Sequence, residues 1–264
     1  MAPIRLAILE ADTPVPKANE KYSGYFGVFS HLFTRALAPE PLSSALTLTG
    51  HDIVQNPDSS YPDLDSIDAI LITGSKYNSF DNDDWILKLV EYTRKALIHP
   101  RVRVIGVCFG HQIVARALGA LVARSDKGWE VSVTETQLTE KGKELFGGRE
   151  TLKIQQMHRD QVYSVPAGAT LLASTPKCPN HGFLVPGRVI TIQGHPEFTQ
   201  EIMREILELR HGSGLFPDDL FASGMARNDS SGDDDQDGVL VTRAFIEFLL
   251  LKPAPVDEKE LANR

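Results

Sequence analysis

Apolar and polar positions along the chain switch between two periods, and the switches mark the elements. Ile4–Glu10 is a short, mostly apolar run that predicts a buried strand. Phe26, Phe29, Leu32, Phe33 and Leu37 recur at helical spacing and predict one helix over residues 22–37. Residues 46–54 and 67–73 read as the next strands. Asp84–Ile98 reads as a helix capped by Asp83 or Asp84. Residues 102–107 form a β-rich run that leads into a helix over residues 111–118. This βαβ rhythm predicts a mostly parallel sheet covered by helices.

The pattern then changes. Residues 131–136, 152–157 and 170–174 are strand-like with short turns and antiparallel in flavour. Phe183–Val185 and residues 189–193 predict a hairpin around Pro186-Gly187, followed by a helix over 199–211 and a last helix over 239–251. Residues 227–238, rich in Asp, Ser and Gly, predict a mobile surface loop. Its carboxylates lack the order and closing Glu of an EF-hand. Without a repeat or a linker, residues 1–252 are expected to form one domain, with 253–264 as a frayed tail.

Chemistry enters at Gly106-Val107-Cys108-Phe109-Gly110. Strand, sharp turn and helix follow one another with the thiol at the apex, the layout of a nucleophile elbow with Cys in place of Ser. A helix N-terminus favours the thiolate. Taken alone, the pentapeptide is equally well a buried structural cysteine in a glycine-containing turn. A second apolar run ends in Gly194-His195-Pro196-Glu197-Phe198. A thiol nucleophile needs a base, and the base needs a group that fixes its tautomer. Parallel strands would carry Cys108 and His195 to one sheet edge, with Glu197 holding the far nitrogen of His195. The Phe109 N–H, just after the nucleophile, is placed to receive an oxyanion.

GVCFGHQ at residues 106–112 together with GHPEF at residues 194–198 resembles the class I glutamine amidotransferases. The resemblance spans residues 4–208 and implies a flavodoxin-like three-layer α/β sandwich with a mostly parallel central sheet and a small antiparallel sheet. It implies a Cys108-His195-Glu197 triad, with a second oxyanion donor from Gly74 and Ser75. It places Gln112, His158 and Asp160 around a bound glutamyl group. Residues 79–86 and Lys127-Gly128-Trp129-Glu130 resemble the free-standing GMP-synthase-like branch, which includes the plant γ-glutamyl peptidases. The expected activity is hydrolysis of a γ-glutamyl amide bond through a glutamyl thioester. Two alternatives stand beside it: a glutaminase that delivers ammonia to a separate synthetase partner, and a non-catalytic binding protein on the same scaffold.

Composition narrows the picture further. The formal charge of −8 argues against a nucleic-acid partner. Two cysteines, Cys108 and Cys178, make neither a disulfide framework nor a metal motif. No apolar run reaches the length of a membrane span and the N-terminus does not read as a signal peptide, so the expectation is a cytoplasmic enzyme with a small γ-glutamyl substrate and no cofactor or metal. The Asn228 sequon reads as a chance match. His111 reads as a packing residue, and His31, His51, His99, His181 and His211 carry no partner pattern. The Lys76–Asp84 loop (residues 76–84) and the region near Trp129 are expected to line the leaving-group pocket.

Overall fold

A computed structural model describes residues 2–232 and 236–251. The expected tail at 253–264 and positions 233–235 of the acidic stretch lie outside the described residues. The chain runs through β1 (Ile4–Glu10), α1 (Pro16–Tyr22), α2 (Tyr25–Leu37), β2 (Leu46–Asp52), β3 (Ala69–Ile72), α3 (Asp84–Ile98), β4 (Arg103–Val107) and α4 (Phe109–Ala117). There follow β5 (Val122–Arg124), β6 (Glu130–Leu138), α5 (Glu140–Leu145), β7 (Thr151–His158), β8 (Asp160–Val162), β9 (Thr170–Leu171) and β10 (Ala173–Ser174). Strands β11 (Phe183–Val185) and β12 (Val189–Ile192) precede α6 (Gln200–Gly212), α7 (Asp218–Ser230) and α8 (Gly238–Leu250).

The main sheet has the order β2-β1-β3-β4-β12-β11-β9, parallel from β2 to β12 and antiparallel at β11 and β9. Its central strands are apolar on both faces because helices cover both sides. Leu6, Ile8, Leu71 and Ile105 pack into the core that includes α2, α6 and α8. The alternate positions Ala7, Leu9, Ile70 and Val104 pack with α3 and α4. A three-layer α/β sandwich results. Smaller antiparallel sheets, β10-β6-β7 and β5-β8, sit beside it. Strand order reverses between β1 and β3, and ligands in such sheets bind beyond the carboxyl ends near that reversal.

Several sequence expectations need correction. The helix expected over 22–37 begins at Tyr25, because Ser23 is left-handed at φ 56° and Gly24 lies at φ 106°; Tyr22 instead ends a separate helix, α1, that the sequence pattern did not announce. The run at 170–174 divides between β9 in the main sheet and β10 in the small one. The acidic stretch is not a loop at its start. Arg227 to Ser230 are the last turn of α7, where Arg227 donates to the carbonyls of Val131 and Val133. Asn228 is fully buried, accepts from Gln155 and donates to the Gln200 carbonyl, which leaves no access for a glycan. Asp237 is also built in, accepting from the Lys153 N–H. Among the described residues no helix is long and apolar enough to cross a membrane.

Candidate active site

The β4–α4 turn is held open for a cysteine by two glycines. A Cβ at Gly106 would lie 2.7 Å from the Gly110 carbonyl oxygen, and one at Gly110 would collide with the Ile72 carbonyl of β3. The close approach lets the Gly110 N–H bond the Thr73 carbonyl at 3.2 Å, while Cys108 N–H bonds Ile192 of β12 at 2.9 Å. Cys108 itself sits at φ 50°, ψ −103°, a conformation L-residues rarely hold unless the surroundings impose it. The elbow is therefore pinned to β3 on one side and β12 on the other.

Register does the rest. Ile192 pairs with Val107, so the residues after β12 emerge beside the elbow. His195 N–H bonds the Gln155 carbonyl of β7 at 2.8 Å, and its ring stacks on Phe198 with centroids 4.0 Å apart. Nδ1–H of His195 donates to Glu197 Oε1 at 2.8 Å, which leaves Nε2 as the free nitrogen. Both groups are almost fully buried. Burial pulls the imidazole towards neutrality, but the negative charges of Cys108 and Glu197 outweigh it and push His195 up to about 10. Gly74, just past β3, abuts both partners: a Cβ there would be 2.7 Å from His195 Cε1 and 3.7 Å from Cys108 Cβ. The Phe109 N–H opens α4 and has no intrahelical acceptor by position. The hydroxyl of Ser75 accepts from the Tyr77 N–H.

Gln112, His158 and Asp160 meet around one carbonyl. Gln112 Nε2 donates to the Asp160 carbonyl at 3.0 Å and to Gln193 Oε1 at 3.0 Å, and its Oε1 accepts from Ser79 Oγ at 2.8 Å. His158 Nδ1–H donates to the same Asp160 carbonyl at 3.2 Å, and the Asp160 carboxylate pairs with Arg124 at 3.2 Å. All three line the cavity over Cys108, yet their side chains are engaged by protein groups. Such engagement suits them to shaping the cavity wall.

Two members of the surrounding network were not legible as site residues. Glu130 Oε2 accepts from His181 Nε2–H at 2.9 Å and lies 3.1 Å from His158 Nε2, while Oε1 accepts from the Thr175 hydroxyl at 2.7 Å. So His181, without a partner pattern in the sequence, has a buried carboxylate partner. The β6–β7 register, which only the structure reveals, sets Glu130 opposite His158. Burial opposes the Glu130 charge, but the imidazoles of His158 and His181, 3.1 Å and 2.9 Å from Oε2, outweigh it and hold it well below the usual carboxylate range. The ligand atoms of Glu130, His158 and His181 lie within 4.8 Å of one another, a set that suits a divalent ion by type. Hydrogen bonds already satisfy the carboxylate without one. His111 bonds Thr191 Oγ1 at 2.8 Å and is pushed down to about 3 by burial, so it stays neutral. Cys178 is buried, and burial pushes its thiol up to about 12.

Two cavities meet at the elbow. The first, about 60 Å³, includes Cys108, Phe109 and Gln112 in its lining. The second, about 320 Å³, includes His195, Phe198 and Tyr25. Ser75, Lys76, Met157 and Arg210 line both.

A family model described as glutamine amidotransferase class-I matches residues 35–210. A glutamine amidotransferase-like protein of Schizosaccharomyces pombe is 35% identical over 246 residues, covering 92% of this chain and 98% of that one. Gamma-glutamyl peptidase 3 of Arabidopsis thaliana is 36% identical over 210 residues, covering 77% and 81%. The crystal structure of a glutamine amidotransferase from Thermotoga maritima superimposes with a TM-score of 0.66 at 18% identity, covering 94% of this chain and 99% of that one, a likeness of fold. The chain belongs to the class-I glutamine amidotransferase family.

Proposed function

We propose that the protein hydrolyses γ-glutamyl amide bonds with Cys108 as nucleophile. The observation that carries this reading is the meeting of Cys108, His195 and Glu197 beyond the ends of β4 and β12, with Gly74 against both the thiol and the imidazole. The sulfur attacks the γ-carbonyl carbon as a thiolate, with the proton held on His195 Nε2. Negative charge moves to the carbonyl oxygen, where the Phe109 N–H and the backbone at Gly74-Ser75 receive it. As the C–N bond breaks, His195 gives its proton to the leaving nitrogen and a glutamyl thioester remains. Water, deprotonated by His195, then attacks the thioester and releases glutamate and the Cys108 sulfur. Glu197 holds His195 in the productive tautomer and stabilises its charged form.

A relative named gamma-glutamyl peptidase favours γ-glutamyl peptides over glutamine as the substrates of this chain. The test is incubation of the full chain with γ-glutamyl-alanine, glutathione and glutamine, followed by release of glutamate and by intact mass after an acid quench. The expected result is turnover without a second protein and a glutamyl adduct on Cys108. Cys108→Ala should remove both. A retained rate in that variant would end the proposal.

A further inference from the structure

Four cations line the cavity over Cys108, and two of them have fixed partners. Lys76 Nζ is 2.9 Å from Asp12 Oδ1, and Arg124 is 3.2 Å from Asp160. Arg159 and Arg210 have none: among the described residues no carboxylate or carbonyl engages either guanidinium. Both lie over Trp129, at 5.4 Å and 5.0 Å from its ring centroid, and Arg210 also lies 5.7 Å from the Phe216 ring. An indole face steadies a guanidinium but does not neutralise it. Burial disfavours the charge on Arg210, and only the more distant charges of groups such as Cys108 and Asp12 offset this. An arginine remains protonated all the same. A half-buried guanidinium beside an aromatic ring, in a chain of net charge −8, is a site awaiting an anion.

The two cavities say which anion. Cys108 lines the first and His195 the second, so a γ-glutamyl bond under attack must straddle their border. The acyl side stays with the sulfur. The leaving nitrogen takes its proton from His195 and so departs into the larger cavity. Arg159 lines the first cavity alone, whereas Arg210 lines both. In an amino-acid leaving group the carboxyl carbon lies two bonds beyond the scissile nitrogen, about 2.5 Å away. That places it near the shared border. Asp12, which also lines the second cavity, is matched by Lys76 and by the Lys76 and Thr13 N–H groups.

Resting on the hydrolase reading above, we infer that Arg210, beside Trp129 and between the two cavities, binds the C-terminal carboxylate of the leaving group and so selects γ-glutamyl amino acids and short γ-glutamyl peptides. A bidentate carboxylate–guanidinium pair is matched in shape as well as charge. Ammonia, the leaving group of glutamine, has nothing to offer this residue.

Two substrate pairs test the inference on the full chain: γ-glutamyl-alanine against its C-terminal amide, and glutathione against its glycine amide. For wild type, kcat/KM should favour the acid over the amide roughly 10- to 100-fold in at least one pair, the range for a hydrogen bond to a charged group. The pair with the larger ratio tells whether the carboxylate sits on the first or the second residue of the leaving group. Arg210→Gln and Arg210→Met should bring that ratio close to one, and Arg210→Lys should retain part of it. Arg159→Met should leave the ratio in place while lowering kcat/KM for acid and amide together. Thermal midpoints and alkylation of Cys108 establish that each variant is folded. Equal turnover of acid and amide by wild type overturns the inference, as does a ratio that survives in the Arg210 variants or collapses in Arg159→Met. The hydrolase reading fails separately, and takes the inference with it, when wild type cleaves neither pair and Cys108 acquires no glutamyl adduct.

Discussion

Gly74 and His195 touch where any side chain would intrude: a Cβ on the glycine would stand 2.7 Å from Cε1 of the imidazole. The ring cannot retreat, because Phe198 stacks on it and Glu197 holds its Nδ1. Gly74→Ala should therefore twist His195 away from Cys108 and lower kcat on the order of 100-fold, since small misplacements of reacting groups carry large costs. The thermal midpoint should change little by comparison. Single-turnover kinetics beside a melting curve check both halves.

Cys108 holds a positive φ that only glycine adopts freely. Cys108→Ala and Cys108→Gly should both be inactive. The glycine variant should nevertheless be the more stable of the two by about 1 kcal/mol, because the elbow strain is released. Urea unfolding of the pair measures the difference. An alanine variant as stable as the glycine variant would remove the claim of strain.

Glu197→Gln keeps the shape of the carboxylate and removes its charge. The acid role of His195 is lost as pH rises through its folded value, which is pushed up to about 10. Taking away the Glu197 charge removes part of that upward push, so the basic limb of the pH–rate profile should move to lower pH. The plateau rate should fall on the order of 10²- to 10⁴-fold as tautomer control is lost. A pH profile of kcat/KM for γ-glutamyl-alanine reads both effects.

Glu130 contributes to acid sensitivity. Its folded carboxyl lies below its unfolded value, so its stabilisation is complete above about pH 4.3 and disappears as pH falls through the folded value. Glu130→Gln should cost about 1–3 kcal/mol at pH 7, where the hydrogen bonds from His181 and Thr175 lose their charged acceptor. The gap between wild type and variant should narrow below pH 4. Urea unfolding at pH 7, 5, 4 and 3 follows it.

Local pattern was a good guide wherever the structure depends on local chemistry. Strands β1, β4 and β12 and helix α3 follow from apolar runs and periods, and the glycines around Cys108 announced the elbow. Helix α1 and the break at Ser23-Gly24 were hidden, because the apolar stripe that announces α2 begins only beyond the break and the short, polar α1 carries none. Helix α7 lacks a clear apolar stripe. Its last turn, residues 227–230, falls in the stretch that reads as a loop, and contacts of Arg227 and Asn228 with β6, β7 and α6 hold it as helix.

Taken by itself, the sequence determined the alternation of strands β1, β2, β3 and β4 with helices α2, α3 and α4, the β11–β12 hairpin with α6 and α8 after it, and the three side chains of the candidate triad. Each of those lies within a few residues of a strand end, where short-range pattern governs. The tertiary structure alone decided that Glu130 meets His181 from 51 residues away. It also decided that Arg159 and Arg210 lie beside one indole with no carboxylate partner among the described residues. Those relationships arise from strand register and helix docking, which bring distant positions together through burial and hydrogen bonding that no local spacing encodes.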